Sequence, residues 1–202
     1  GTGNDVQAAL RNGYGQVTSV DIDAQIIAIG RQWHPEQPYR RPEVRAVVDD
    51  ARSFFGKNTG ERYDVVCYGL LDSHAMVSAM STLRLDNYVY TEEGIRAAWR
   101  RVAPGGHLSL SMSCNSGQWF VDRLYWTITK ATGQAPIPVY NSLHGGTVTF
   151  LVPTPEAQFS RAVLDGRPLV GPRQTREQTT TLTDDVDPPG GIRIARDDPA
   201  EE

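Results

Sequence analysis

Gly1-Thr2-Gly3-Asn4-Asp5, a short helical stretch from Val6 to Arg11, and then Val17-Thr18-Ser19-Val20-Asp21 form the opening that decides the fold. Two glycines ahead of a helix N-terminus let a ligand approach main chain with no side chain in the way, beside free N–H groups. Asp21 follows about 20 residues on, at the end of a β-branched run, where an acid accepts hydrogen bonds from both hydroxyls of a ribose. A glycine turn followed by a strand-end acid reads as a nucleotide site on a parallel sheet.

The next strand end extends the pattern. Val44 to Val48 is predicted as a strand closing on Asp49-Asp50, where the Asp50 carboxylate accepts from an adenine amine and the Ala51 N–H donates to the ring. Gly1, Gly3, Asp5, Asp21, Ile22, Asp50 and Ala51 are therefore the candidate nucleotide-binding residues. A dinucleotide such as NAD is the rival ligand. Its fingerprint wants a third small residue for close helix packing, a place taken here by Val6.

Working outward, apolar β-branched runs alternate with amphipathic helical ones, as in a doubly wound, mostly parallel Rossmann-like α/β fold. Ala24 to Trp33 is predicted as a helix and Tyr63 to Tyr68 as a third strand, followed by a long connection from Gly69 to Tyr90. Thr91 reads as the N-cap of a helix running to Val102, with Glu92 and Glu93 at the positive end of its dipole. Pro104-Gly105-Gly106 is expected to break the chain before a strand from His107 to Met112. A helix from Ser116 to Thr132 and two strands, Pro138 to Tyr140 and Thr147 to Val152, complete the pattern, the strands forming an antiparallel hairpin at the sheet edge. Residues 1–164 read as one binding domain. Residues 165–202, rich in Pro, Gly, Thr and charge, read as an extended or disordered tail.

The chain has 202 residues and a net charge of −4, which offers no broad basic surface for a nucleic acid. Cys67 and Cys114 lie in separate strand-like segments and are expected to be buried free thiols. His34, His107 and His144 share no metal-ligand spacing, so no metal is expected. With no apolar run of about 18 residues or more, the chain as given is expected to be soluble and cytoplasmic. A doubly wound fold places its first strand just before the glycine turn, which here stands at residue 1. The expectation is a chain that lacks that first strand, the alternative being a complete domain with a flexible glycine terminus. Trp99, Trp119 and Trp126 are read as core or helix-face packing, and Arg84 with Asp86 as a loop ion pair.

The motifs Gly1-Thr2-Gly3-Asn4-Asp5, Val20-Asp21-Ile22-Asp23, Val44 to Ala51 and Tyr63-Asp64-Val65-Val66 resemble those of the spermidine synthase-like (polyamine aminopropyltransferase) group of the class I S-adenosylmethionine-dependent methyltransferase superfamily. Gly69 to His74, Leu83 to Glu93 and Pro104-Gly105-Gly106 are similar to a bacterial branch often fused to membrane-spanning segments. The resemblance covers Gly1 to Met112 and is looser beyond. Thr183-Asp184-Asp185 is similar to an acidic motif of that branch, but Val186-Asp187 stands where it has Trp-Pro.

The resemblance implies S-adenosylmethionine or its decarboxylated form as cofactor, with Asp21 on the ribose and Asp50 on the adenine. It implies a small-molecule acceptor beside the loop after the third strand, with Tyr68, Asp72 and Tyr90 as substrate contacts and Asp72 and His74 as catalytic candidates. It leaves open flanking membrane segments in the parent protein and a homodimer. Aminopropyl transfer needs positioning of a neutral amine and a carboxylate that helps remove its proton. The synthases carry a pair of acids in the loop, and this chain sets Gly69 and Asp72 there, with Asn4 in place of a further acid. Three readings stay open: aminopropyl transfer, methyl transfer to a small molecule, and a nucleotide-sensing domain without catalysis.

Overall fold

The computed structural model describes residues 1–57, 59–70, 89–114, 118–141, 146–158 and 180–182. The chain divides into two compact units, Gly1–Thr59 and Gly60–Glu202. Among the described residues no helix is long and apolar enough to cross a membrane.

The first unit contains helix α1 (Asn4–Arg11), strand β1 (Val17–Asp21), helix α2 (Ala24–Trp33), a single 3-10 turn (Pro38–Arg40), strand β2 (Val44–Val48) and helix α3 (Ala51–Gly56). β1 and β2 pair in parallel from Val17 with Val44 to Asp21 with Val48. Parallel neighbours need a crossover, and α2 with the 3-10 turn supplies it. α2 starts where the Asp23 carboxylate accepts from the Gln25 N–H, and α3 where the Asp50 carboxylate accepts from the Ser53 N–H. Among the described residues of this unit Gly3, Val6, Ile27, Gly30, Pro38 and Tyr39 are buried.

The second unit contains β3 (Tyr63–Tyr68), α4 (Glu92–Trp99), β4 (Val102–Ser113), α5 (Gln118–Thr132), β5 (Ile137–Asn141), β6 (Thr147–Pro153) and β7 (Thr180–Leu182). Its sheet has the order β3-β4-β6-β5-β7. β3 and β4 are parallel, and β6 runs antiparallel between β4 and β5. β3, β4 and β5 therefore point the same way. Leu108, Leu110 and Met112 alternate with half-buried Ser109 and Ser111 along β4, and Val148, Phe150 and Val152 with half-buried Thr149 and Leu151 on β6. Ile95 and Ala98 of α4 and Val121, Leu124, Tyr125 and Ile128 of α5 complete this core.

The Rossmann-like α/β class is the one expected, with several local differences. The helix expected to reach Val102 ends at Trp99. The Tyr63 N–H donates to the Arg101 carbonyl at 2.8 Å and the Arg101 guanidinium donates to the Glu61 carbonyl at 3.0 Å, which draws the chain into the β3 ladder early. Pro104-Gly105-Gly106 lies inside β4 as a bulge, the register stepping from Tyr63 with Val102 to Val65 with His107. Gly106 has to be glycine there, because a Cβ would sit 2.4 Å from the Asp64 carbonyl oxygen.

The hairpin strands form, but not at the sheet edge: β6 lies against β4, and β7 flanks β5 on its outer side. β7 falls in the stretch read as a tail, the rest of which from residue 165 lies outside the described residues. Cys67 and Cys114 form no disulfide among the described residues, but neither is buried; Cys67 alternates away from the buried Val66 and Tyr68 on β3. Trp119 and Trp126 are exposed rather than core, each ring set edge-on against its helix neighbour, Phe120 and Tyr125.

Candidate functional site

In the first unit the sequence-predicted nucleotide residues gather at the carboxyl ends of β1 and β2. Gly3 is the N-cap of α1 with φ +113°, a conformation that favours glycine. A Cβ on Gly3 would sit 2.8 Å from the Pro38 ring and 3.3 Å from the Tyr39 ring, so the turn rests directly on the 3-10 segment. Gly30 of α2 is packed closer still, a Cβ there falling 2.3 Å from the Thr2 carbonyl oxygen. The Tyr39 hydroxyl donates to the Gly1 carbonyl at 2.6 Å and lies 3.1 Å from the Ser19 hydroxyl, tying turn, 3-10 segment and β1 together. Burial, and to a lesser extent the charges of Asp21 and Asp5, raise the Tyr39 pKa above its ordinary value, so the phenol is a donor at neutral pH.

Asp21 meets this turn. One carboxylate oxygen pairs with the Gly1 amino group and the other accepts from the Asp23 N–H at 2.8 Å. β2 delivers its acids to the same edge, since the Asp49 N–H donates to the Asp21 carbonyl at 3.0 Å. A hydrogen bond from Lys57 holds the Asp49 carboxyl below the usual carboxylate range. Asp50 is committed through one oxygen to capping α3, of which Ala51 is the first residue. Ile22 and Val48, the residues beside these acids, are 53% and 55% exposed, an apolar surface at a strand end. Asp5 is exposed in the first turn of α1 and does not touch Asp21 by hydrogen bond among the described residues.

Asn4 is held by His34. The His34 Nδ1 accepts from the Glu36 N–H at 3.1 Å, which leaves the proton on Nε2 to be donated to the Asn4 carboxamide oxygen at 3.1 Å.

In the second unit, Tyr68 at the end of β3 is buried and packs on Tyr90, ring centroids 6.2 Å apart. Asp72 and His74 lie outside the described residues. The sequence reading had no place for Gly30, Tyr39 or His34 at the turn, nor for Asp122, a buried acid on α5.

The described fold matches solved structures. The spermidine synthase from Thermotoga maritima matches with a TM-score of 0.61 at 15% identity, over 77% of this chain and 51% of that one. A spermidine synthase in complex with the transition state analogue AdoDATO matches at 0.58 and 16%, over 77% of this chain and 50% of that one. Human methyltransferase-like protein 13 in complex with SAH matches at 0.58 and 13%, over 79% and 71%.

The fold is that of the spermidine synthases and class I methyltransferases.

This chain spans about half the length of those two synthases. In sequence, no family model matches it, and none of the curated proteins does. In a Rossmann-like fold of this type, ligands bind outside the carboxyl ends of the parallel strands. The Gly1–Gly3 turn, Asp21 and Asp50 stand at such ends. Their arrangement suits a nucleotide-sized ligand: Gly3 has no room for a Cβ, Asp21 and Asp49-Asp50 end adjacent strands, and Ile22 and Val48 beside them are exposed apolar residues.

Proposed function

We propose that the chain belongs to a transferase that moves an aminopropyl or methyl group from decarboxylated S-adenosylmethionine or S-adenosylmethionine to a small nucleophile, in the spermidine synthase-like manner. The observation that carries this reading is the glycine turn, tied through the Tyr39 hydroxyl to β1, gathered with Asp21 and the Asp49-Asp50 strand end at one edge. In it, Asp21 accepts from the ribose hydroxyls, Asp50 and Ala51 read the adenine, and Ile22 packs on the ring. Gly1 and Gly3 let the rest of the cofactor lie on bare main chain, and Asp5 adds charge at the mouth of α1. When bound, the cofactor supplies a carbon beside a sulfonium, already activated for displacement. The protein then has to orient the acceptor and remove one proton from it. Tyr68 and Tyr90 would wall the acceptor side, and Asp72 and His74 would serve as base or anchor. That two solved relatives of the fold hold AdoDATO and SAH supports a sulfonium-type cofactor.

Calorimetry with S-adenosylhomocysteine tests the reading. Binding that disappears in Asp21→Ala is expected, and equal affinity in that variant rejects the ribose assignment. Turnover with both sulfonium donors separates the two chemistries. The hydrogen bond that commits Asn4 to His34 favours keeping methyl transfer as the second reading, because the acid of the synthase pattern is replaced by an engaged amide.

A further inference from the structure

The outer ridge of α5 carries two tryptophans. Val121, Leu124, Tyr125 and Ile128 turn inward and are buried. At about 3.6 residues per turn, Trp119, Arg123, Trp126 and Lys130 fall in one line on the opposite side of the helix, and all of them are exposed. Trp119 is 63% exposed, at a position where a surface helix ordinarily carries a polar side chain. An indole is a large apolar ring with a single N–H donor, and rings of this kind left in water together mark a surface that meets a partner.

The ridge is basic as well as aromatic. The Lys130 ammonium lies 3.2 Å from the Glu92 carboxylate of α4, and the same carboxylate pairs with Arg96. One acid thus serves two cations, and Arg123 adds a positive charge between the tryptophans. Glu93 and Arg100, also exposed on α4, offset one another. A local positive excess on a chain whose net charge is −4 points to an anionic partner.

The shape of the ridge says which kind. A line running the length of a helix face, about 16 Å at 1.5 Å per residue, lets all four side chains touch one plane at once. Indole rings at headgroup level, with Lys and Arg against anionic headgroups, are the combination suited to a lipid–water interface. α5 has 15 residues and its inner face is committed to the core, so it would lie on such a surface rather than cross it.

We propose that the Trp119, Arg123, Trp126 and Lys130 ridge of α5 docks on an anionic lipid bilayer. The two indole rings enter the headgroup layer, and the two cations pair with lipid phosphates and carboxylates. This surface role goes beyond group transfer and does not depend on which group is transferred.

The full chain is sedimented with vesicles of phosphatidylcholine and with vesicles of phosphatidylcholine and phosphatidylserine in equal parts. Binding to the mixed vesicles, weakened by added salt, is expected, with none to phosphatidylcholine alone. Each basic residue near an anionic surface contributes about fivefold, so Arg123→Gln with Lys130→Gln is expected to weaken binding by about tenfold or more. Trp119→Ala with Trp126→Ala is expected to weaken it by a similar factor, because two rings no longer leave water. Trp33→Ala, which removes an exposed indole from α2, is expected to leave binding within about twofold. Failure of the wild type to bind the mixed vesicles overturns the proposal, as do equal binding to both kinds of vesicle, undiminished binding by either double variant, or an equal loss in Trp33→Ala. Soluble polyglutamate bound as tightly as the mixed vesicles, with the same dependence on the ridge, overturns it in favour of an acidic protein. A dimer that Trp119→Ala with Trp126→Ala dissociates, seen by light scattering, overturns it in favour of a second copy of the chain. Should the tryptophan variant not fold, Arg123→Gln with Lys130→Gln decides alone, since it leaves both rings in place.

Discussion

Gly30, in the middle of the first unit's long helix, lies so close to Thr2 that a Cβ on it would stand 2.3 Å from the Thr2 carbonyl oxygen and 2.8 Å from the Tyr39 ring. A helix glycine is ordinarily a weakness worth about 1 kcal/mol against alanine. Here the contact is with backbone, which cannot swing aside, and overpacking of this kind costs about 1–3 kcal/mol. Gly30→Ala is therefore expected to destabilise the chain in urea titration and to weaken S-adenosylhomocysteine in calorimetry. A stabilised variant with intact binding would show that the turn does not depend on this approach.

Tyr39→Phe keeps the ring beneath Gly3 and removes the hydroxyl from between Gly1 and Ser19. Gly1 is exposed, so the loss is that of an ordinary hydrogen bond, about 0.5–1.5 kcal/mol. The expected result is a lower denaturation midpoint together with weaker S-adenosylhomocysteine binding. Unchanged values for both would mean that water replaces the phenol.

Asp50 carries two loads that substitutions can separate. Serine also caps helices, so Asp50→Ser is expected to keep stability while losing adenine recognition. Asp50→Ala loses the cap as well, at about 1 kcal/mol. Equal S-adenosylhomocysteine affinity in wild type and Asp50→Ser would confine Asp50 to helix capping.

Tyr140 makes stability sensitive to alkali. Its folded pKa, about 12, lies above the ordinary value of 10.0, so the unfolded chain gives up this proton first. The contribution is complete below pH 10 and is lost as pH rises from there through 12. Thermal unfolding followed at pH 9 and pH 11 should show a drop that is smaller in Tyr140→Phe. An identical drop in both proteins would place the alkaline sensitivity elsewhere, the raised phenol of Tyr39 being the next group to test.

What the sequence displayed and what it hid follow from the range of the forces involved. β1, β2 and β3 were legible because β-branched runs ending in an acid or at a turn are local signals, and Asp21 and Asp50 follow from them by position. The early end of α4 was not, since it depends on Arg101 reaching Glu61 and Tyr63, about 40 residues back in the chain. Tyr39 carries no local mark of its bond to Gly1, and Gly30 reads as a tolerated helix glycine until Thr2 is set against it. Asp122 looks like one more polar residue of an amphipathic helix; only the packing of α5 against the sheet turns it inward. The order of β6 and β5 is likewise a tertiary outcome, invisible in the spacing of the two strands. The expected roles of Asp72 and His74 lie outside the described residues.

The His34–Asn4 hydrogen bond also bears on redesign. Restoring an acid at position 4 by Asn4→Asp would not yield a free carboxylate, because the imidazole already donating there would hold it as firmly or more so. Anyone wishing to convert this chain toward the synthase pattern has to change residues 4 and 34 together, and has to find another acceptor for the Glu36 N–H that His34 now relieves. The glycine turn, the first helix and the corner after the second helix thus mutate as one block.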